Sequence, residues 1–214
     1  MRILVCIPFY HNFEALKPLL SELKACGIHE FIIKPGQGAD IGTLRNRLIN
    51  DGKSSKKFQI PLKGIDRVLT IDTDVIPTFA DIMSMTEHDK DIVCLPYLRH
   101  GSDLEYACGY FDGNGNIGGR YTALGEGFRK IPWTGAGAMM IKSHVFVATE
   151  FPWYRHPMIE VGDDQDELSE AIGFCVNVKA AGFDIWCDFN RPVVHLPRPK
   201  VDWEIPELET AEKV

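Results

Sequence analysis

The sequence predicts an α/β protein with a mostly parallel central sheet flanked by helices and a small antiparallel element in the second half. Three observations predict it. Short apolar runs alternate with stretches of helical apolar spacing through the first half of the chain. Several of those runs close on proline, glycine or aspartate, which end buried strands. The second half breaks into shorter, turn-rich pieces.

Residues 3–7 form a continuous apolar run closed by Pro8, as expected of a strand covered on both faces. Residues 13–25 carry Leu16, Leu19, Leu20 and Leu23 at helical spacing, and Gly27 stops them. A short strand over 31–33 ends at Pro35-Gly36, and 41–49 repeats the helical spacing. Residues 68–71 make the third strand, 79–85 a helix, and 92–95 a fourth strand closed by Pro96. This alternation predicts parallel strands joined by right-handed crossovers, with helices on both faces. Ligands of such sheets bind beyond the carboxyl ends of the strands. Pro8-Phe9-Tyr10, Asp72-Thr73-Asp74 and Pro96-Tyr97 all fall there.

Further on, residues 112–116 (Asp-Gly-Asn-Gly-Asn) are hairpin-tip chemistry. Trp133-Thr134-Gly135-Ala136-Gly137 follows a strand-like segment and precedes an apolar run over 138–141. Residues 163–167 read as an acidic loop ahead of a helix over 168–181, which Gly182 terminates. Residues 185–187 and 193–195 are short strands. Residues 52–57, lysine- and serine-rich, read as a mobile surface loop. Residues 1–197 are expected to form one domain, and 198–214 a loosely held tail anchored only by Trp203.

Composition narrows the function. With 45% hydrophobic and 25% charged residues in 214, the chain reads as soluble and globular. A net charge of −7 argues against a general nucleic-acid-binding surface. No apolar window is long enough to cross a membrane. The first residues enter a strand pattern without signal-peptide layout, so the expected location is cytoplasmic. The six cysteines are scattered through apolar runs without a CxxC pair, which predicts buried reduced thiols rather than a zinc site.

Chemistry concentrates at Asp72-Thr73-Asp74. Two carboxylates one residue apart at a strand end offer hard oxygen ligands to a divalent cation, which can neutralise a diphosphate. Alone, such a pair reads first as a strand-end turn with two solvated acids. Four further segments accompany it in order: Pro8-Phe9-Tyr10, Thr43-Leu44-Arg45-Asn46-Arg47, Thr134-Gly135-Ala136-Gly137, and Gly182-Phe183-Asp184-Ile185-Trp186 through Val193-Val194-His195. With them the chain, from Arg2 to Pro197, resembles a GT-A-fold nucleotide-sugar glycosyltransferase of the family 2 type and its compact phage-encoded relatives.

That resemblance implies a Rossmann-like GT-A domain and a Mn²⁺- or Mg²⁺-dependent hexosyltransferase. The donor would be a nucleotide sugar, UDP-linked in preference. The acceptor would be a hydroxyl of a glycan, lipid, protein or modified DNA base, and the transfer inverting. Pro8, Phe9, Tyr10, Arg45, Asp72 and Thr73 would line the nucleotide, with Gly135 and Gly137 beneath the donor sugar and Trp133 stacked on it. The glycines also suit a plain tight turn, Arg45 a solvated helix charge, and Trp133 and Tyr97 the core. Asp74 would coordinate the cation directly, Asp72 through water or nearer the ribose, and His195 would complete the shell, an imidazole favouring Mn²⁺ over Mg²⁺. His195 could instead be a satisfied strand-end histidine.

One position departs from the family. Where it places Glu-Asp ahead of an aromatic on the first turn of the late helix, this chain has Glu170, Ala171 and Phe174. The absent aspartate is the general base of inverting members, and alanine cannot take a proton. Ala171 fits a deliberate inactivating substitution made to trap a substrate complex. It also fits a natural enzyme using another acid (Glu170, Asp163, Asp164 or Asp166), or a protein that lost catalysis and kept binding. Two other classes remain: a silent sugar-nucleotide-binding module and a haloacid-dehalogenase-type phosphatase. The phosphatase also pairs aspartates at a strand end, and Gly162-Asp163-Asp164 resembles its later motif. It places the pair nearer the N-terminus, however, and has threonine or valine where this chain has Ile76.

Overall fold

The computed structural model describes residues 1–9, 14–38, 40–50, 62–111, 117–122, 126–161 and 164–197. Tyr10, the 52–57 loop, the 112–116 hairpin tip, Asp163 and the 198–214 tail lie outside the described residues.

In chain order the first half is β1 (Arg2–Phe9), a 3-10 turn (Glu14–Leu16), α1 (Lys17–Ala25), β2 (Glu30–Gln37), α2 (Ile41–Ile49), β3 (Arg67–Ile71), β4 (Val75–Ile76), α3 (Phe79–Glu87) and β5 (Ile92–Cys94). The second is β6 (Cys108–Phe111), β7 (Ile117–Arg120), β8 (Phe128–Ile131), β9 (Trp133–Thr134), β10 (Ala138–Lys142), α4 (Ser143–Ala148), β11 (Met158–Val161), β12 (Asp164–Glu167), α5 (Glu170–Ala180), β13 (Ile185–Asp188) and β14 (Val194–His195).

Seven strands form the central sheet in the order β2-β1-β3-β10-β5-β13-β8. Five run in one direction; β10 and β8 run against them. The expected parallel sheet is present with one rearrangement. β3 and β5 are not neighbours, because β10 enters between them antiparallel to both. Three small antiparallel sheets join it: β7-β6-β9, β11-β12 and β14-β4.

Strand alternation divides the core in two. Ile3, Val5, Ile7, Leu69, Ile71, Val93 and Met140 meet Leu19, Leu20 and Leu23 of α1 and Ile82 and Met85 of α3 on one face. Leu4, Cys6, Val68, Ile92, Met139, Ile141 and Ile185 meet Ile49 of α2, Phe146 of α4, and Phe174 and Val178 of α5 on the other. Helices therefore cover both faces, as the apolar runs require. The six cysteines are all free thiols, five of them buried.

Two local expectations change. β2 continues through Pro35 and Gly36 to Gln37. It is an edge strand paired only with β1, so a proline without an N–H costs it no second ladder. The acidic stretch before α5 is not a loop: β12 pairs antiparallel with β11, Met158 opposite Glu167.

Helix starts follow local chemistry. The Asp40 carboxylate accepts from the Thr43 N–H at 3.0 Å and caps α2. Thr78 and Asp81 form a reciprocal capping box at α3.

Candidate functional site

The carboxyl ends of β1, β3 and β5 and the start of β10 lie along one edge of the sheet. There the chain leaves β3 in a turn, with the Asp72 N–H donating to Gly137 O at 3.0 Å and the Val75 N–H to Asp72 O at 3.1 Å. β14 docks on the strand that follows. Val194 pairs with Ile76 and His195 with Val75, and the Leu196 N–H donates to Asp74 O at 2.7 Å. This two-residue pairing, absent from any local pattern, seats His195 against Asp74.

Asp74, His100 and His195 converge, with one ligand atom from each lying within 4.8 Å of the others. His195 Nε2 is 3.6 Å from Asp74 Oδ1, and His100 Nε2 is 3.0 Å from Asp74 Oδ2. The His195 Nδ1–H donates to Leu98 O at 2.5 Å, which orients the ring so that Nε2 faces the carboxylate. Tyr97 buttresses the ring edge-on at 5.1 Å, and the two imidazoles lie 3.7 Å apart. Burial acts to raise the Asp74 carboxyl, but the hydrogen bonds and charge of His195 and His100 outweigh it and bring it down to about 2. Burial acts to lower His195, and the hydrogen bonds to Asp74 and Leu98 O together with the Asp74 charge outweigh it, holding the imidazole above its ordinary value.

His100, which no sequence motif marks, is the third member of this group. It sits three residues beyond Tyr97 in an excursion after β5. Leu98 bridges Tyr106, the Arg99 N–H donates to Glu105 O, and Ser102 Oγ accepts from the N–H groups of Leu104 and Glu105. Gly101 makes the reversal at φ +73°, in left-handed space that favours glycine. A histidine just past the strand-closing Pro96-Tyr97 was the available signal.

One carboxylate oxygen and two imidazole nitrogens suit a first-row divalent ion, with coordination positions left for an anionic ligand. The residues present therefore fit Mn²⁺ well and Mg²⁺, which prefers all-oxygen shells, less well.

Asp72 lies outside this group. Its Oδ1 accepts from Arg45 Nη2, while Arg45 Nη1 donates to Glu170 Oε1. Arg45, on α2, is 1% exposed, so it is neither a solvated helix charge nor presented to a phosphate. Burial opposes its charge, and the two carboxylates more than restore it. Burial also pushes Asp72 above the usual carboxylate range, which Arg45 counters only in part. Glu170 is 8% exposed and engaged by Arg45, and Ala171, 6% exposed, packs into the main core. Asp164 opens β12, six residues before Glu170 at the start of α5.

Other candidates resolve into packing. Trp133 is 1% exposed, its indole N–H donates to Tyr110 O at 3.2 Å, and Arg120 lies over its ring, which leaves no face for a sugar. Pro8 is buried in register with Gly36; Phe9 is half-buried beside it, opposite Gln37. Thr73 is half-buried in the turn between the aspartates. Gly135 and Gly137 answer to Tyr97: a Cβ at 135 would lie 2.2 Å from its hydroxyl, and one at 137 would lie 2.7 Å from Val75 Cγ2. The Gly137 N–H donates to that same hydroxyl at 3.0 Å. Gly135→Ala is accordingly expected to destabilise the fold by about 1–3 kcal/mol through overpacking, read as a lower urea midpoint.

No protein-family model matches the chain, and no curated protein matches it by sequence. Solved structures do. "A197 from STIV" aligns over 94% of this chain and 100% of that one, at 16% identity and a TM-score of 0.58. A Drosophila β-1,4-galactosyltransferase 7 mutant, in complex with manganese, UDP-galactose and xylobiose, aligns over 91% of this chain and 70% of that one. Its identity is 15% and its TM-score 0.50. The fold is GT-A-like. Among the described residues no helix is long and apolar enough to cross a membrane.

Proposed function

We propose that this protein is a metal-dependent glycosyltransferase that moves a sugar from a nucleotide-diphosphate donor, UDP-linked in preference, to a hydroxyl acceptor with inversion. The observation that carries this reading is the meeting of Asp74, His100 and His195 at the ligand-binding edge of a GT-A-like sheet. The galactosyltransferase neighbour holds manganese and UDP-galactose, which supports the donor class. A divalent cation there would neutralise the charge that develops on the departing diphosphate. Asp74 would supply the anionic ligand and His100 and His195 the neutral ones. Leu98 O orients the His195 ring for this. Phe9, at the end of β1, and Thr73, just past β3, would border the nucleotide.

The acceptor proton needs a base. Ala171 cannot serve, and Glu170 is clamped by Arg45. Of the acids considered, Asp164, on the strand that precedes α5, is our assignment. That choice makes Ala171 a core residue of an active enzyme rather than the scar of a lost one.

Incubating the protein with UDP- and GDP-sugars and Mn²⁺ tests the reading. Nucleotide diphosphate release that stops with EDTA and returns with Mn²⁺ is expected. Saturable UDP binding without release from any donor would instead identify a silent binding module. Absence of both would defeat the proposal.

A further inference from the structure

Two carboxylates of the Asp72-Thr73-Asp74 turn could reach for one cation, yet only Asp74 belongs to the convergent group. The reason lies behind the turn. The Arg45 guanidinium spans two acids from distant parts of the chain, donating through Nη2 to Asp72 and through Nη1 to Glu170 at the first turn of α5. Its fork geometry lets one side chain hold both at once, which a lysine ammonium cannot reproduce.

Neighbouring contacts anchor the clamp. Asn46, next to Arg45, donates to Tyr154 O at 2.6 Å and accepts from the Tyr154 N–H at 3.1 Å. The Tyr154 ring lies 5.6 Å from the guanidinium and stacks at 4.6 Å on Phe174 of α5. Gly42, at the start of α2, lies so close to Glu170 that a Cβ there would sit 2.9 Å from Glu170 Cβ. These contacts fix α2, α5 and the end of β3 as a unit.

We propose that Arg45 is a positioning residue for the metal site: by pinning Asp72 and Glu170 together it orients the turn so that Asp74 alone of the aspartate pair faces His100 and His195. Arg45 touches neither cation nor substrate and acts through Asp72. The same clamp ties the turn that carries Asp74 to the first turn of α5. The inference rests on the metal site proposed above.

The test is Mn²⁺ titration by calorimetry on the full chain, comparing wild type with Arg45→Lys and Glu170→Gln. Glu170→Gln preserves volume and an acceptor oxygen, so it keeps the test open if Arg45→Lys does not fold. Leu23→Ala, a core truncation on α1 beneath the opposite sheet face, is the control for lost stability alone. All are compared at a temperature where each is folded. The expected result is a Kd for Mn²⁺ raised about ten- to a hundred-fold in the clamp variants, the size seen when the partners that orient metal ligands are removed, and unchanged in Leu23→Ala. Wild-type affinity in both folded clamp variants, or an equal loss in Leu23→Ala, overturns the inference and leaves the metal site standing. A wild-type protein that binds no Mn²⁺ overturns the site and the inference together.

Discussion

Asp74→Ala is expected to abolish divalent-cation binding and, with it, metal-dependent release of nucleotide diphosphate. Asp74 is the only carboxylate in the group it forms with His100 and His195, so the variant leaves two neutral imidazoles. Two imidazoles without an anionic oxygen are a poor match for Mn²⁺ and a worse one for Mg²⁺. A fall of at least about a hundred-fold in Mn²⁺ affinity is expected by analogy with the cost of disturbing ligand shells. The fold should survive, because the Asp74 backbone oxygen still accepts from Leu196 and the β4–β14 pairing involves main chain only. Calorimetric titration with Mn²⁺, beside a thermal melt, separates the two effects. Retained affinity in a folded Asp74→Ala protein would move the cation elsewhere.

Trp133→Ala should produce the reverse pattern, a large loss of stability with ligand binding per folded molecule preserved. The indole is 1% exposed, sits in the larger core cluster, and donates its N–H to Tyr110 O. Gly109 packs so tightly on it that a Cβ there would approach the ring to 2.3 Å. Removing so large a buried ring costs about 3–5 kcal/mol in comparable cores. Trp133→Phe should recover much of that loss, since the ring volume matters more than the single hydrogen bond. Urea unfolding measures the stability, and UDP titration of the folded fraction measures the site. A specific loss of UDP binding without destabilisation would restore Trp133 to the role of a sugar platform.

The contrast between these residues shows what the chain alone discloses. β1, α1, α2, β3 and α3 are legible because their apolar spacing is local and their caps and stops lie beside them. The carboxyl-end rule then points to the edge where Asp74, His100 and His195 meet. β10 was visible as an apolar run, but its insertion between β3 and β5 depends on pairing partners far apart in sequence, and no periodicity encodes a partner. Burial of charge is similarly hidden. Arg45 looks like any helix arginine until α5 supplies Glu170 and β3 supplies Asp72. His100 escaped because nothing short of the Leu98–Tyr106 excursion brings it back to Asp74. Gly135 and Gly137 drew attention for the right reason, close approach, but the approaching group is the Tyr97 hydroxyl.

A crystal of the protein soaked with Mn²⁺ and UDP, with anomalous diffraction recorded at the manganese edge, tests the central claim most directly. The account predicts a single strong peak bounded by Asp74, His100 and His195, with the diphosphate on its open side and Asp72 still held by Arg45. A peak on other residues, or UDP bound away from the carboxyl edge of β1 and β3, would contradict it.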